Sequence, residues 1–111
     1  MAERNVQQDI RLALGADPDV VLWRNQCGFY KESGRAIKYG VGSPGGADLI
    51  GIFRASDGRG IFIAVEVKTD TGRQSLEQKQ FQALVERKGG HYALCRSADD
   101  ARAFIARLRA L

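Results

Sequence analysis

The run Gly60-Ile61-Phe62-Ile63-Ala64-Val65-Glu66-Val67-Lys68 constrains the fold of this chain more than any other segment. Its β-branched and aromatic residues favour an extended strand, and a strand this apolar belongs inside a sheet rather than on its surface. Yet the run ends in charge. Alternation sends Glu66 and Lys68 to one face of the strand and Val65 and Val67 to the other. A carboxylate and an ammonium thus stand side by side where charge is costly unless it pairs, binds a metal or lines a cleft.

The rest of the chain supplies the elements to enclose such a strand. Val6, Ile10 and Leu14 recur at helical spacing, with Gly15 placed to end that helix over Arg4 to Leu14. Val20 to Trp23 reads as a strand after the Asp17-Pro18-Asp19 turn. Asp48 to Phe53 and Gly60 to Lys68 form a hairpin across an Asp57-Gly58 turn. Ser75 and Gln78 have the spacing of a capping box, opening a helix with Leu76, Phe81, Leu84 and Val85 that ends at Gly89-Gly90. Tyr92 to Cys95 is a short strand, and Ser97 caps a last helix carrying Ala101, Phe104, Ile105 and Leu108. The order α-β-β-β-α-β-α predicts an α/β fold with a mixed sheet flanked by helices.

With 111 residues the chain has room for one domain, residues 1–111, and one core. Its hydrophobic fraction of 44% and charged fraction of 27% are those of an ordinary globular protein. No apolar run is long enough to span a bilayer and the N-terminus has no targeting signal, so the expectation is a cytoplasmic protein with no membrane partner. Seventeen Lys and Arg against thirteen Asp and Glu leave a net +4, a mild bias toward polyanions. Cys27 and Cys95 lie far apart, without a Cys-x-x-Cys pair, and read as buried free thiols. His91 has no carboxylate or cysteine neighbours in sequence and receives no catalytic role.

Between the first two strands the chain is rich in glycine, basic residues and aromatics, which is the composition of a ligand-facing loop. Lys31, Arg35 and Lys38, with Arg73 beyond the long strand, are candidates for phosphate contacts, and Phe29, Tyr30 and Tyr39 for stacking, or for packing beneath the loop. Any excess of Ala101, Phe104, Ile105 and Leu108 over what a small core can cover would favour a dimer.

Asp48 follows Gly45-Gly46-Ala47, whose small side chains let a ligand approach, and antiparallel pairing across the hairpin brings Asp48 beside Glu66. The two carboxylates with the Val67 carbonyl form an all-oxygen site of the kind Mg²⁺ prefers, with Mn²⁺ able to substitute. Lys68 beside them is placed to orient water or stabilise charge in phosphodiester hydrolysis. A bare Glu-x-Lys is as readily a salt bridge. What sets this one apart is its company: Gly42-Ser43-Pro44-Gly45-Gly46-Ala47-Asp48-Leu49-Ile50, Glu66-Val67-Lys68-Thr69, Gly72-Arg73, Ser75-Leu76-Glu77-Gln78 and Gly89-Gly90, in that order.

In these motifs the chain resembles the VRR-NUC family of the PD-(D/E)xK, restriction-endonuclease-like nuclease superfamily, over nearly its whole length. The resemblance implies a metal-dependent DNA endonuclease with Asp48, Glu66, Lys68 and Gln78 as catalytic residues. It adds Glu3 as a further metal ligand and Gln7, one helical turn on, as its neighbour at the site. From the residues alone, Glu3 is equally a carboxylate complementing a helix dipole, and Gln78 the partner of the Ser75 cap. The chain departs from the family's usual spelling at Gln74 and Leu76. Compact members of bacteria and phages resemble homodimers acting on branched DNA such as four-way (Holliday) junctions, and that substrate is the expectation here. Flaps, nicks, linear ends or RNA are alternative substrates, and a nucleic-acid-binding module without catalysis is an alternative function.

Overall fold

The structure, a computed structural model, describes residues 2–111. Its elements are α1 (Glu3–Gly15), β1 (Val20–Arg24), β2 (Gly28–Glu32), β3 (Arg35–Tyr39), β4 (Leu49–Arg54), β5 (Gly60–Val67), α2 (Leu76–Arg87), β6 (His91–Cys95) and α3 (Ala98–Arg109). The main sheet has the order β1-β4-β5-β6, with β1/β4 and β4/β5 antiparallel and β5/β6 parallel. It is the mixed, helix-flanked α/β sheet that the sequence predicts, with the elements in the predicted order and one addition, β2–β3.

That addition falls in the glycine-rich segment. Ser33 and Gly34, at φ 52° and 76°, sit between strands paired Glu32 to Arg35, the two-residue turn with both central φ positive that matches strand twist. A Ser-Gly pair between two short aromatic and basic runs was a legible hairpin signal, masked by the density of glycine around it.

Burial of β5 explains its composition. Ile63, Val65 and Val67 point into a core with Val6, Ile10 and Leu14 of α1 and with Ala101, Phe104, Ile105 and Leu108 of α3. Each fully buried Leu or Ile there contributes about 1.5–3 kcal/mol. Ala64 points to the other side, into a smaller cluster with Phe81 and Val85 of α2 and Tyr92 of β6. Two helices therefore cover one face of the sheet and a single helix part of the other.

Three local expectations change. Gly15 is the last residue of α1 and is not left-handed; Ala16 caps the helix in the right-handed region. On α2 only Phe81 and Val85 are buried, leaving Leu76 and Leu84 exposed, because the helix rests on the site end of the sheet. Ala101, Phe104, Ile105 and Leu108 of α3 are all buried in the chain's own core, so that helix offers no large apolar residue in excess for a dimer. Apolar surface is exposed instead on the half of the sheet that α2 leaves bare, at Val21, Trp23, Ile52 and Phe62. Among the described residues no helix is long and apolar enough to cross a membrane.

Candidate active site

Asp48 and Glu66 meet at the end of the sheet where β4 begins and β5 finishes. Pairing of Leu49 with Val65 continues outward to set Asp48 across from Glu66. Asp48 Oδ2 accepts a hydrogen bond from the Val67 N–H at 2.8 Å, which ties its carboxylate to the strand carrying Glu66 and Lys68. The backbone N–H of Lys68 in turn donates to the Cys95 carbonyl of β6 at 3.1 Å. The sheet itself thus holds all three groups.

Among the described residues Glu66 is the only buried polar or charged one, at 2% exposure. Its Oε2 accepts from Gln78 Nε2 at 2.9 Å and faces Lys68 Nζ at 3.3 Å. Its Oε1 is buried with no hydrogen-bond partner among the described residues. An orphaned carboxylate oxygen is expensive, and a native protein keeps one for a reason. Burial, and then the charge of Asp48, push the Glu66 carboxyl up to about 7 against the opposing pull of Lys68.

Gln78 satisfies both readings made of it. Its Oε1 accepts from the Ser75 N–H at 2.9 Å while Ser75 Oγ accepts from the Gln78 N–H at 3.1 Å, a complete capping box. Having its oxygen engaged by the cap fixes the amide so that Nε2 faces Glu66. The start of α2 is therefore fastened to the buried carboxylate. Gly72 completes the setting of Lys68, since a Cβ there would lie 3.2 Å from the Lys68 stem.

One positioning residue gave no sequence signal. Asn25, just after β1, donates from Nδ2 to the carbonyls of Val41 at 2.8 Å and Ala47 at 2.9 Å, and accepts from the Val41 N–H at Oδ1 at 2.9 Å. Its own N–H donates to the Asp48 carbonyl at 2.8 Å. These bonds fold the glycine-rich approach, with its cis Ser43–Pro44 bond, back onto β1 and set where Asp48 starts. Gly46 makes the fold-back possible, for a Cβ there would stand 2.0 Å from the Val41 carbonyl oxygen. Asn25→Ala is expected to cost about 1–3 kcal/mol of stability, because it strands the carbonyl of buried Ala47 and releases both bonds that hold Val41. A chemical-denaturation curve checks this; a change within error would remove Asn25 from the argument.

A cleft of about 680 Å³ opens onto Asp48 and Gln78, walled by Gln7, Arg24, Tyr39 and Glu77 among others. The structure thus brings Asp48, Glu66, Lys68 and Gln78 together, places Gln7 on the cleft wall, and leaves Glu3 exposed on the first turn of α1, off that wall. Among the described residues no three His, Cys, Asp or Glu side chains converge as a metal-holding group, so the acidic centre is a pair. Lys31, Arg35 and Lys38 project from β2–β3 and Arg73 from the loop before α2, all exposed. Phe29 and Tyr30 are exposed rather than packed under a loop.

Cys95 is buried as expected, its thiol pushed up to about 12 by burial. Cys27 is instead half-buried on the cleft wall, where burial raises its thiol. Both stay protonated near neutral pH, and neither is a nucleophile.

The arrangement can hold a hard divalent cation. Two carboxylates converge, one oxygen lacks any partner, and an ammonium stands beside them without neutralising the pair. A family model, the VRR-NUC domain, matches residues 33–99, which take in Asp48, Glu66, Lys68 and Gln78. No curated protein and no solved structure matches the chain.

Proposed function

Because the chain belongs to the VRR-NUC domain family, whose function is of the nuclease type, we propose that it is a Mg²⁺- or Mn²⁺-dependent endonuclease cutting branched DNA. The orphaned Oε1 of Glu66 carries this reading: a buried, partnerless carboxylate oxygen beside a second carboxylate is what a cation site requires. Asp48, Glu66 and the Val67 carbonyl would be its ligands, with Glu3 an outlying carboxylate. When bound, the cation neutralises phosphate charge and acidifies a water.

The chain's own residues do the rest. Lys68 Nζ, held 3.3 Å from Glu66, is placed to orient a water against the phosphate and to meet the negative charge that grows on it. Gln78 keeps Glu66 Oε2 engaged, which leaves Oε1 as the open ligand atom. Gln7 contributes hydrogen bonding at the cleft wall. Lys31, Arg35, Lys38, Tyr39 and Arg73 bind the DNA on either side of the cut.

A homodimer, with one centre for each of two strands, gives a geometric reason for a preference for four-way junctions. The bare sheet face at Val21, Trp23, Ile52 and Phe62 supports self-association. In a test with labelled four-way junction, flap, nicked duplex, linear duplex and single-stranded RNA, the junction is expected to be cut fastest in Mg²⁺ or Mn²⁺, with EDTA abolishing cutting. Binding without cutting of any substrate would overturn the nuclease in favour of a module. Preferential cutting of another member of the panel would overturn the junction.

A further inference from the structure

The β2–β3 ribbon contributes no residue to either buried cluster. Its register opposes Phe29 to Lys38 and Lys31 to Ala36, so these four share one face. The other face carries Tyr30 opposite Ile37, Glu32 opposite Arg35, and Tyr39 opposite Gly28. Both faces are open: Phe29 is 65% exposed, Tyr30 52% and Tyr39 48%. A ribbon outside both buried clusters that keeps its aromatics in water is built to meet something else.

What it meets is constrained by charge, by size and by position. Lys31, Lys38 and Arg35 stand against a single acid, Glu32, so the ribbon suits a polyanion. Strands of five residues run about 17 Å, with the two about 4.8 Å apart. Tyr39 lines the same cleft as Asp48, and its ring centroid lies 6.4 Å from that of Tyr30, so the ribbon continues the cleft outward.

The major groove of B-DNA, about 12 Å wide, admits a two-stranded ribbon without distortion, whereas the minor groove of about 6 Å takes one only at the cost of bending or widening the duplex. The major groove of A-form RNA is too deep and narrow for side chains to read. We infer that β2–β3 lies in the major groove of the DNA duplex arm next to the scissile phosphate. Lys31, Lys38 and Arg35 contact phosphates along the groove, and Phe29 lies against base edges and thymine methyls. The ribbon then selects duplex DNA over RNA, a choice that the catalytic centre does not make. This inference rests on the nuclease reading for what the duplex arm is for, but its test does not.

Binding of the full chain to a short DNA duplex is measured in EDTA, so that cutting plays no part. Four duplexes of one sequence are compared: plain DNA, DNA with glucosylated 5-hydroxymethylcytosine filling the major groove, DNA with netropsin in the minor groove, and RNA. Glucosylation and RNA are each expected to weaken binding about tenfold or more, and netropsin to have little effect. Replacing both Lys31 and Lys38 by Ala, at exposed positions that leave the core untouched, should reduce the slope of log K against log salt by about two. Phe29→Ala should weaken binding to plain DNA more than to glucosylated DNA, narrowing the penalty of glucosylation.

Sensitivity to netropsin without sensitivity to glucosylation would overturn the inference, as would an unchanged salt slope or a native chain that binds no duplex. A Phe29→Ala chain that turns monomeric where the native one is dimeric would reassign the ribbon to self-association. Cutting of the substrate panel in Mg²⁺ reports separately on the nuclease reading.

Discussion

Lys68→Ala is expected to slow DNA cleavage by about 10²–10³-fold while leaving DNA binding in EDTA nearly unchanged. The Lys68 side chain, 16% exposed at the edge of the site, belongs to neither apolar cluster, so truncation leaves those clusters untouched. It removes a cation that faces a buried carboxylate which also feels the negative charge of Asp48. Two consequences follow from the same loss: no positive charge to meet the developing phosphate charge, and a Glu66 that is harder to ionise. The second predicts that residual activity shifts its optimum to higher pH. Single-turnover rates across pH measure both, and cutting undiminished at any pH would sink the assigned role.

Glu66→Gln should make the cation-free protein more stable and the enzyme inactive. The folded-state value of Glu66, about 7, lies above its ordinary 4.5. Between those values the folded chain keeps a proton that the unfolded chain has released. Cation-free stability therefore falls as pH rises from about 4.5 to about 7. The slope is at most one proton, about 1.4 kcal/mol per pH unit, and vanishes above the window. A glutamine does not ionise, so the variant loses this slope and is expected to melt several degrees higher than the native chain at pH above 7. It should also lose cutting by about 10²-fold or more, and any thermal shift on adding Mg²⁺ or Mn²⁺, both of which need the charged form. A variant that melts lower than the native chain at every pH, with both proteins cation-free, would show that Glu66 is structural. That trade of stability for function is the usual condition of a buried catalytic charge.

Much of the site was readable because its parts are close in sequence or joined by one hairpin. Glu66 and Lys68 are two residues apart on a strand, where alternation puts them on one face whatever the fold. Asp48 needed only the assumption that Asp57-Gly58 turns the chain, which the observed β4/β5 pairing meets. The caps at Ser75 and Ser97 rest on three-residue spacing and formed as expected. The β2–β3 hairpin was missed even though its turn is equally local, because glycine in quantity reads as irregular chain. Asn25 offered no pattern at all: its partners Val41 and Ala47 are distant, and they are backbone groups with no side-chain signature.

From the sequence alone came the elements other than β2–β3, the mixed helix-flanked sheet and the grouping of Asp48, Glu66 and Lys68, since period and short spacing constrain the backbone before any packing occurs. The charged end of the Gly60-to-Lys68 run was already conspicuous there. Only the tertiary structure decided that Glu66 keeps one oxygen unpartnered, that Gln78 serves cap and carboxylate together, that Glu3 stays off the cleft wall, and that α3 spends its apolar face inside the chain. Each of these depends on how elements dock across long stretches of chain. Docking is set by the summed burial of many side chains, which no single residue's neighbours in sequence encode.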